Sequence, residues 1–223
     1  DGIRERFPTD QETDQLLTRK MHKRAGPPYR QVSLDEMLVW LNAMLAECIE
    51  GAFQVDDPRW LTGGASKVQI AFELTWNAPD RGPQRDRLVV RMDPSEASNT
   101  TSRVREVELL TAFQGKLPVP KVFWLDRDAR WFPEPAIIYS FLQGVAKPKS
   151  TGAGQVVGLG TNFGPRLREQ LAPQFLRHLA TIHTADVSGM QFSTMDIPPT
   201  GTADCARLQL NRARRVWEED RGE

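Results

Sequence analysis

The 223-residue chain has 29 acidic and 29 basic residues and an apolar share of 39%, a composition typical of globular proteins and unlike that of disordered or fibrous ones. A neutral chain lacks the overall positive charge with which proteins wrap nucleic acid or adsorb to anionic lipid. The two cysteines are unclustered, and no apolar run approaches the roughly 18 residues that cross a bilayer. We therefore expect a cytoplasmic protein with reduced thiols and without a nucleic-acid or membrane partner.

The first 51 residues divide into a polar segment and a helix. Residues 1–31 contain prolines and a basic run at 19–24, which predicts an N-terminal arm on the surface; a nucleic-acid contact is the less favoured alternative. Ser33 and Glu36 form a capping box, and apolar residues then recur at helical spacing up to Gly51. This pattern predicts an amphipathic helix whose apolar stripe packs in the core.

From about residue 55 to residue 142 the pattern predicts three strands, one helix and two further strands. Apolar residues alternate with polar ones in several short runs, and the helix is closed by Gly115. The first strand lies before Gly63 and Gly64, and the segments after it are strand 68–75, a loop at 77–86, strand 87–92, helix 102–114 and strands 121–126 and 135–142.

Beyond residue 142 the sequence predicts a hinge or flexible loop followed by helices. The glycines at 152–160 follow no buried strand and open no helix, which argues against a dinucleotide site; a mobile loop at a cleft edge and a simple linker both remain open. Pro173 is expected in the first turn of a second helix. Residues 211–217 are expected to present a solvated face with Trp217 packed beneath.

The stretch "LTGGAS" at residues 61–66 joins two strand-like runs. It lacks the Gly-x-x-x-x-Gly-Lys-Ser/Thr pattern of a Walker loop. Glycines serve both in a tight turn and where backbone amides approach a phosphate closely. By itself this stretch favours a turn.

Two charged residues later in the chain add a second possibility. Arg91 interrupts the apolar run "LVVRM", where a cation is costly unless it pairs with an anion; exposure on an edge strand is the alternative. Glu106 has apolar residues at i+3, i+4 and i+7, so its carboxylate lies on the apolar face of the helix. Glu108 falls on another face. Arg91 and Glu106 are therefore candidates for an inward-facing ion pair.

In order and spacing these pieces resemble the aminoglycoside phosphotransferase family of kinase-like enzymes, in particular its branch near fatty-acyl metabolism. The matching pieces cover about residues 58–190, and they are "LTGGASKVQIAFEL", "LVVRMDP", "SRVREVELLTAF", "LPVPKVFWLD", "PAIIYSFLQG" and "LAPQFLRHLATIHTADV". The resemblance implies an α+β, protein-kinase-like fold: a five-stranded antiparallel N-terminal lobe with one main helix, then the start of a helical C-terminal lobe. The implied divisions are an arm at 1–31, the N-lobe with its leading helix at 32–142, a hinge and loop at 143–165 and an incomplete C-lobe at 166–223.

The resemblance also implies a nucleotide-binding site. The cover over the triphosphate of ATP would be formed by Gly63, Gly64, Ala65 and Ser66. Arg91 would stand where many kinases place lysine, bridging Glu106 and a phosphate oxygen. The backbone of Ser140 and Leu142 would face the adenine.

The family's catalytic His-Gly-Asp loop, and the Asn and Asp that hold Mg²⁺, have no counterpart here. His22, His178 and His183 are not followed by Gly-Asp, and "HTAD" at 183–186 matches the end of a structural helix. We therefore expect a chain truncated before the catalytic loop, with no catalytic or metal-binding residue of its own. The parent protein would be an ATP-dependent small-molecule kinase using Mg²⁺ and a hydroxyl acceptor; a kinase-like binding or regulatory module without catalysis is the alternative. The acceptor and the oligomeric state are not predicted.

Overall fold

The computed structural model describes residues 2–24, 26, 31–61, 67–94, 101–144, 164–195 and 201–221. These ranges contain, in chain order, α1 (Gly2–Arg6), α2 (Gln11–Arg24), α3 (Leu34–Cys48), β1 (Phe53–Trp60), β2 (Val68–Ala78), β3 (Gly82–Met92), α4 (Arg103–Ala112), β4 (Val122–Asp126), β5 (Ala136–Ser140), α5 (Gly164–His183) and α6 (Asp204–Arg221). The predicted mixture of helices and strands, and the order strand, strand, strand, helix, strand, strand, are confirmed.

The five strands form one antiparallel sheet in the order β1-β2-β3-β5-β4. The predicted loop at 77–86 is wrong, because β2 runs to Ala78 and β3 begins at Gly82, which pairs with it. Gly82 has a φ of +68°, a conformation that glycine adopts at little cost, so three residues suffice to reverse the chain. The Trp76 indole N–H also donates to Asp86 at 2.9 Å. The polar composition of this stretch therefore marks the exposed end of a long hairpin.

Helix α3 supplies the helical side of the core. The predicted capping box is present: the Glu36 amide donates to Ser33 Oγ at 3.2 Å and the Ser33 amide donates to the Glu36 carboxylate at 2.9 Å. Four residues of α3 are buried and cluster with alternate residues of the sheet. The main members of this core are Met37, Leu41, Met44, Leu45, Ile70, Phe72, Leu74, Leu88, Val90, Met92 and Ile138.

The N-terminal segment differs from the expected surface arm. It forms α1 and α2, in which Leu17 is only 6% exposed, and it contacts α6. The guanidinium of Arg215 is fully buried, contacts the Asp14 carboxylate and bonds Glu219 at 3.2 Å. Trp217, expected beneath a solvated face, is instead 67% exposed. Because the contact between these helices is made of paired charges, the buried side of α6 is polar.

Helix α5 is continuous from Gly164 to His183, so Pro173 lies inside it and does not open a second helix. Proline removes one backbone hydrogen bond, and the carbonyl that loses its donor belongs to the exposed Glu169, where water can replace it. Cys48 and Cys205 are free thiols. None of the helices in the described ranges is long and apolar enough to span a bilayer. The glycines at 152–160 lie outside the described residues.

Candidate functional site

Arg91 and Glu106 form an ion pair between the sheet and α4. Arg91 Nη1 lies 3.1 Å from Glu106 Oε1, and the two side chains are 29% and 20% exposed. Arg91 is opposite Gln69 of β2 and Ile137 of β5, so it lies on the central strand of the sheet. The alternative of an exposed edge position is therefore wrong. Alternation along β3 places Val90 in the core and Arg91 on the face that meets α4.

The ion pair continues into a row of buried charges that sequence reasoning missed. The second Glu106 oxygen, Oε2, contacts Arg103, and Arg103 Nη2 lies 3.1 Å from Asp93 Oδ1, which also contacts Lys67. Among the described members of this row, three cations share two carboxylates, and Arg91 is the most exposed of the cations. The spacing of Arg103 and Glu106 at i and i+3 was the one signal in the sequence that could have revealed part of this row.

A cavity of about 340 Å³ lies beside the ion pair. Its wall is mostly apolar, with the strand end Ser140 to Leu142 on one side and the two charged groups on another. The lining residues are Leu61, Val89, Arg91, Glu106, Leu110, Pro120, Tyr139, Ser140, Phe141 and Leu142. Four of the eight residues predicted to bind nucleotide, Arg91, Glu106, Ser140 and Leu142, are thus brought together.

The other four, Gly63, Gly64, Ala65 and Ser66, lie outside the described residues. The residues on either side of them are described. Leu61 lines the cavity and continues the sheet, since its amide donates to the Gln69 carbonyl at 3.0 Å. Lys67 contacts Asp93 in the row of buried charges.

The end of β5 is held firmly against its neighbours. The Ser140 amide donates to the Lys121 carbonyl at 2.8 Å, and the Lys121 amide donates to Ser140 Oγ at 2.9 Å. The Phe141 amide donates to the Arg87 carbonyl at 2.8 Å, and the Arg87 guanidinium stacks 4.1 Å from the centre of the Phe141 ring. Because the Ser140 amide is already bonded within the sheet, it is not available to a ligand at this strand end.

Tyr139 adds a polar group to the same cavity. Burial raises the pKa of Tyr139 above its usual value, and this effect outweighs the opposing influence of the positive charge and hydrogen bonding of Arg91. The phenol therefore stays protonated at neutral pH. Tyr139 therefore adds no negative charge beside Arg91.

Helix α4 is held at its N-terminus by the N-terminal helices. The Ser102 hydroxyl caps α4 by accepting from the Arg105 amide at 3.1 Å, and it also hydrogen-bonds Glu12. The Arg105 side chain contacts the Asp10 carboxylate. Burial alone would raise the pKa of Asp10, but its bonds with Thr13 and Arg105 outweigh burial and lower it. Asp10 is therefore ionised when it pairs with Arg105.

Glu108, on the other face of α4, binds the segment after α5. Its carboxylate accepts from the Ser193 amide at 2.7 Å, from the Ser193 hydroxyl at 2.6 Å and from the Thr194 hydroxyl at 2.6 Å. Burial by itself would raise the pKa of Glu108, but these hydrogen bonds outweigh it and hold the pKa low. Helix α4 is thus fixed on both sides of Glu106.

A second, larger cavity of about 620 Å³ lies between α2, α4, α5 and α6, and Arg91 and Glu106 line it as well. The ion pair therefore separates two cavities. The larger one is mostly apolar, with Lys20, Arg105 and Arg212 among its lining residues.

The "HTAD" stretch ends a helix, as expected. His183 is the last residue of α5, and the Asp186 carboxylate accepts from the Ser188 amide at 2.9 Å and the Ser188 hydroxyl at 2.6 Å. These bonds lower the pKa of Asp186, which closes a local turn. In the part of the chain that the structure describes, no three His, Cys, Asp or Glu side chains converge to hold a metal ion.

No protein-family model matches the sequence, and no curated protein matches it. Among solved structures, the chain is similar to a crystal structure of a provisionally named aminoglycoside phosphotransferase from Ralstonia eutropha JMP134, with 20% sequence identity and a TM-score of 0.45. The match covers 72% of this chain and 42% of that one. The chain thus spans less than half the length of that structure.

Proposed function

We propose that this chain is the nucleotide-binding half of a kinase-like phosphotransferase that uses ATP to phosphorylate a hydroxyl group of a small molecule. The observation that carries the proposal is the Arg91–Glu106 ion pair, which joins the central strand to α4 at the wall of the 340 Å³ cavity. A cation on β3 fixed by a carboxylate of the next helix is the arrangement with which kinases hold phosphates. The sequence resemblance points to the same activity.

The charge of the site suits a polyphosphate. Among the described residues, Lys67, Arg103 and Arg91 share the two carboxylates of Asp93 and Glu106, and an anionic ligand would balance the three positive charges more fully. A guanidinium has five N–H donors, so Arg91 can bond a phosphate oxygen in addition to its bonds with Glu106 and Tyr139. The Arg91 Nε is buried and has no hydrogen-bond partner among the described residues. These features fit the phosphates of ATP.

The apolar side of the cavity suits the base. Leu61, Val89, Leu110 and Leu142 line it, and the polar backbone of the strand end lies beside them. A volume of 340 Å³ is at the lower end of the range for ligand pockets, ~300–1,000 Å³, which are mostly apolar with a few placed polar groups. The adenine would lie here, and residues 63–66 would cover the phosphates.

Magnesium does not fit the residues described. Glu106, the carboxylate on the cavity wall, already lies between two guanidinium groups and is a poor ligand for a second kind of cation. The ion would instead reach the site with the nucleotide. We assign no catalytic step to this chain.

The proposed location is the cytoplasm. The free thiols Cys48 and Cys205 support a reducing environment of this kind.

Titration of the 223-residue chain with ATP, with and without Mg²⁺, tests the proposal. Arg91→Ala should weaken ATP binding by ~10-fold or more, since a hydrogen bond to a charged group contributes ~1.5–3 kcal/mol. Arg85→Ala is the matched control: Arg85 is on the same strand, is 67% exposed and contacts Glu73 away from the cavity. The affinity of Arg85→Ala for ATP should equal that of the unmodified chain.

Two results would refute the proposal: no measurable ATP binding by the unmodified chain, or equal affinity in the Arg91→Ala and Arg85→Ala variants. Competition by adenosine and by tripolyphosphate separates the two halves of the site, and both should displace ATP. Phosphoryl transfer by residues 1–223 alone would contradict the expectation that the catalytic residues lie elsewhere.

A further inference from the structure

Arg103 is a buried cation whose position is set by acidic partners. Its side chain is 1% exposed, its Nη2 lies 3.1 Å from Asp93 Oδ1, and its Nη1 contacts Glu106 Oε2. Nη2 also donates to the Thr101 carbonyl at 3.3 Å. With so little exposure, Arg103 cannot touch a ligand in the cavity. Any effect it has on a ligand must pass through its partners.

The first partner is the carboxylate that holds Arg91. Glu106 gives one oxygen to each arginine, Oε1 to Arg91 and Oε2 to Arg103. Glu106 is in the first turn of α4, where a glutamate with a single partner could rotate toward solvent and stabilise the helix dipole instead. The bond to Arg103 opposes that rotation and directs the other oxygen at Arg91.

The second partner connects Arg103 to Lys67. Asp93 contacts both Arg103 and Lys67. Arg103 is therefore the middle member of a row that begins at Lys67 and ends at the proposed phosphate-binding cation.

We propose that Arg103 is a positioning residue, which holds Glu106 against Arg91 and couples this pair through Asp93 to Lys67. The proposal rests on the proposed function in one respect, because it assumes that the orientation of Arg91 sets ATP affinity. Replacing Arg103 should weaken ATP binding although Arg103 makes no contact with ATP, and the effect should require Glu106.

A double-mutant cycle tests this dependence. Arg103→Met should weaken ATP binding ~5-fold to 10-fold in the unmodified chain and less than ~2-fold in a Glu106→Gln background, as expected for residues of one network. Arg103→Lys keeps the charge but not the planar guanidinium that reaches two carboxylates. Its ATP affinity should therefore lie between that of the unmodified chain and that of Arg103→Met. It also serves as the test variant if Arg103→Met does not fold.

Arg215→Met is the matched control. Arg215 is also a fully buried arginine between two carboxylates, but it lies where α6 meets α2. This variant should lose stability without any change in ATP affinity. An equal loss of affinity in Arg103→Met and Arg215→Met, or an equal effect of Arg103→Met in both backgrounds, would reduce Arg103 to a general stabiliser and overturn the proposal.

A second readout does not depend on nucleotide binding. The side-chain ¹⁵N signals of Arg91, assigned by their loss in Arg91→Lys, should show guanidinium rotation slowed by the Glu106 bond. Rotation should become faster in Arg103→Met and stay slow in Arg215→Met. Unchanged rotation in Arg103→Met would overturn the positioning role. Absence of ATP binding would refute the proposed function, and the NMR comparison would still decide the role of Arg103.

Discussion

Replacing Asp126 should destabilise the fold more than any exposed substitution in the same turn. Asp126 ends β4, is 1% exposed and accepts three backbone hydrogen bonds, from the amides of Arg130 at 2.8 Å, Trp131 at 3.0 Å and Phe132 at 3.0 Å. These bonds hold the connection between β4 and β5, and β5 leads directly to the wall of the proposed nucleotide cavity.

The size of the loss can be estimated from those three bonds. Each amide that loses its acceptor costs ~1–1.5 kcal/mol, so Asp126→Ala should lower the free energy of unfolding by ~3–4.5 kcal/mol. Asp126→Asn keeps one oxygen, which can still accept from Trp131 and Phe132, while its NH₂ group meets the Arg130 amide donor to donor. This variant should therefore lose less, ~1–2 kcal/mol.

Urea denaturation monitored by tryptophan fluorescence measures both variants. Asp128→Ala is the control, since Asp128 is exposed in the same turn and should change stability by less than ~0.5 kcal/mol. The denaturant dependence should be equal in all variants, so the midpoint alone should shift. If Asp126→Ala were as stable as Asp128→Ala, or if alanine and asparagine had equal effects, the three amide bonds would not be what holds this turn.

Substitutions at two residues, Ser102 and Glu108, test how α4 is held. Ser102→Ala removes both the cap on the Arg105 amide and the bond to Glu12, and it should lower the free energy of unfolding by ~1–2 kcal/mol in thermal or urea unfolding. Ser102→Asp keeps the cap but places a second carboxylate against Glu12, so it should recover only part of the lost stability. Full recovery of stability in Ser102→Asp would show that the bond to Glu12 contributes nothing. Because the pKa of Glu108 is lowered in the folded state, the stability it contributes is present above its unfolded pKa of ~4.3 and is lost as pH falls through the lower folded value. Unfolding measured between pH 6.5 and pH 3 should therefore show the difference between Glu108→Gln and the unmodified chain shrinking as the pH falls, and a constant difference would contradict the assignment.

Helix α4 links these predictions to the proposed function. It carries Glu106, and it is fixed by Ser102 and Arg105 on the side of the N-terminal helices and by Glu108 on the side of the segment after α5. A shift of α4 would move Glu106 relative to Arg91. The N-terminal residues, outside the region of family resemblance, thus contact the helix on which the proposed site depends.

The sequence predicted most of the secondary structure because the relevant signals are local. The capping box of Ser33, the apolar stripe of α3, the alternation in β2 and the positive φ of Gly115 after α4 all depend on residues a few positions apart. Two predictions that were based on residue composition were wrong, the loop at 77–86 and the start of a helix at Pro173. The polar stretch 77–86 is hairpin because its exposed residues pair across strands, and Pro173 stays within a helix because the freed carbonyl is solvated.

For the candidate site, the sequence by itself determined that Arg91 interrupts an apolar strand and that Glu106 shares a face with apolar residues. Each is a statement about one element, decided by the period of that element. Only the tertiary structure decided that β3 is central, that the two groups meet at 3.1 Å, and that Arg103 is buried behind them. Apart from the i, i+3 pair of Arg103 and Glu106, these charges are brought together by packing, whose free energy is shared among many contacts, so no other local pattern of residues records which of them will meet. The role of these residues in binding ATP stays a prediction for the titrations to decide.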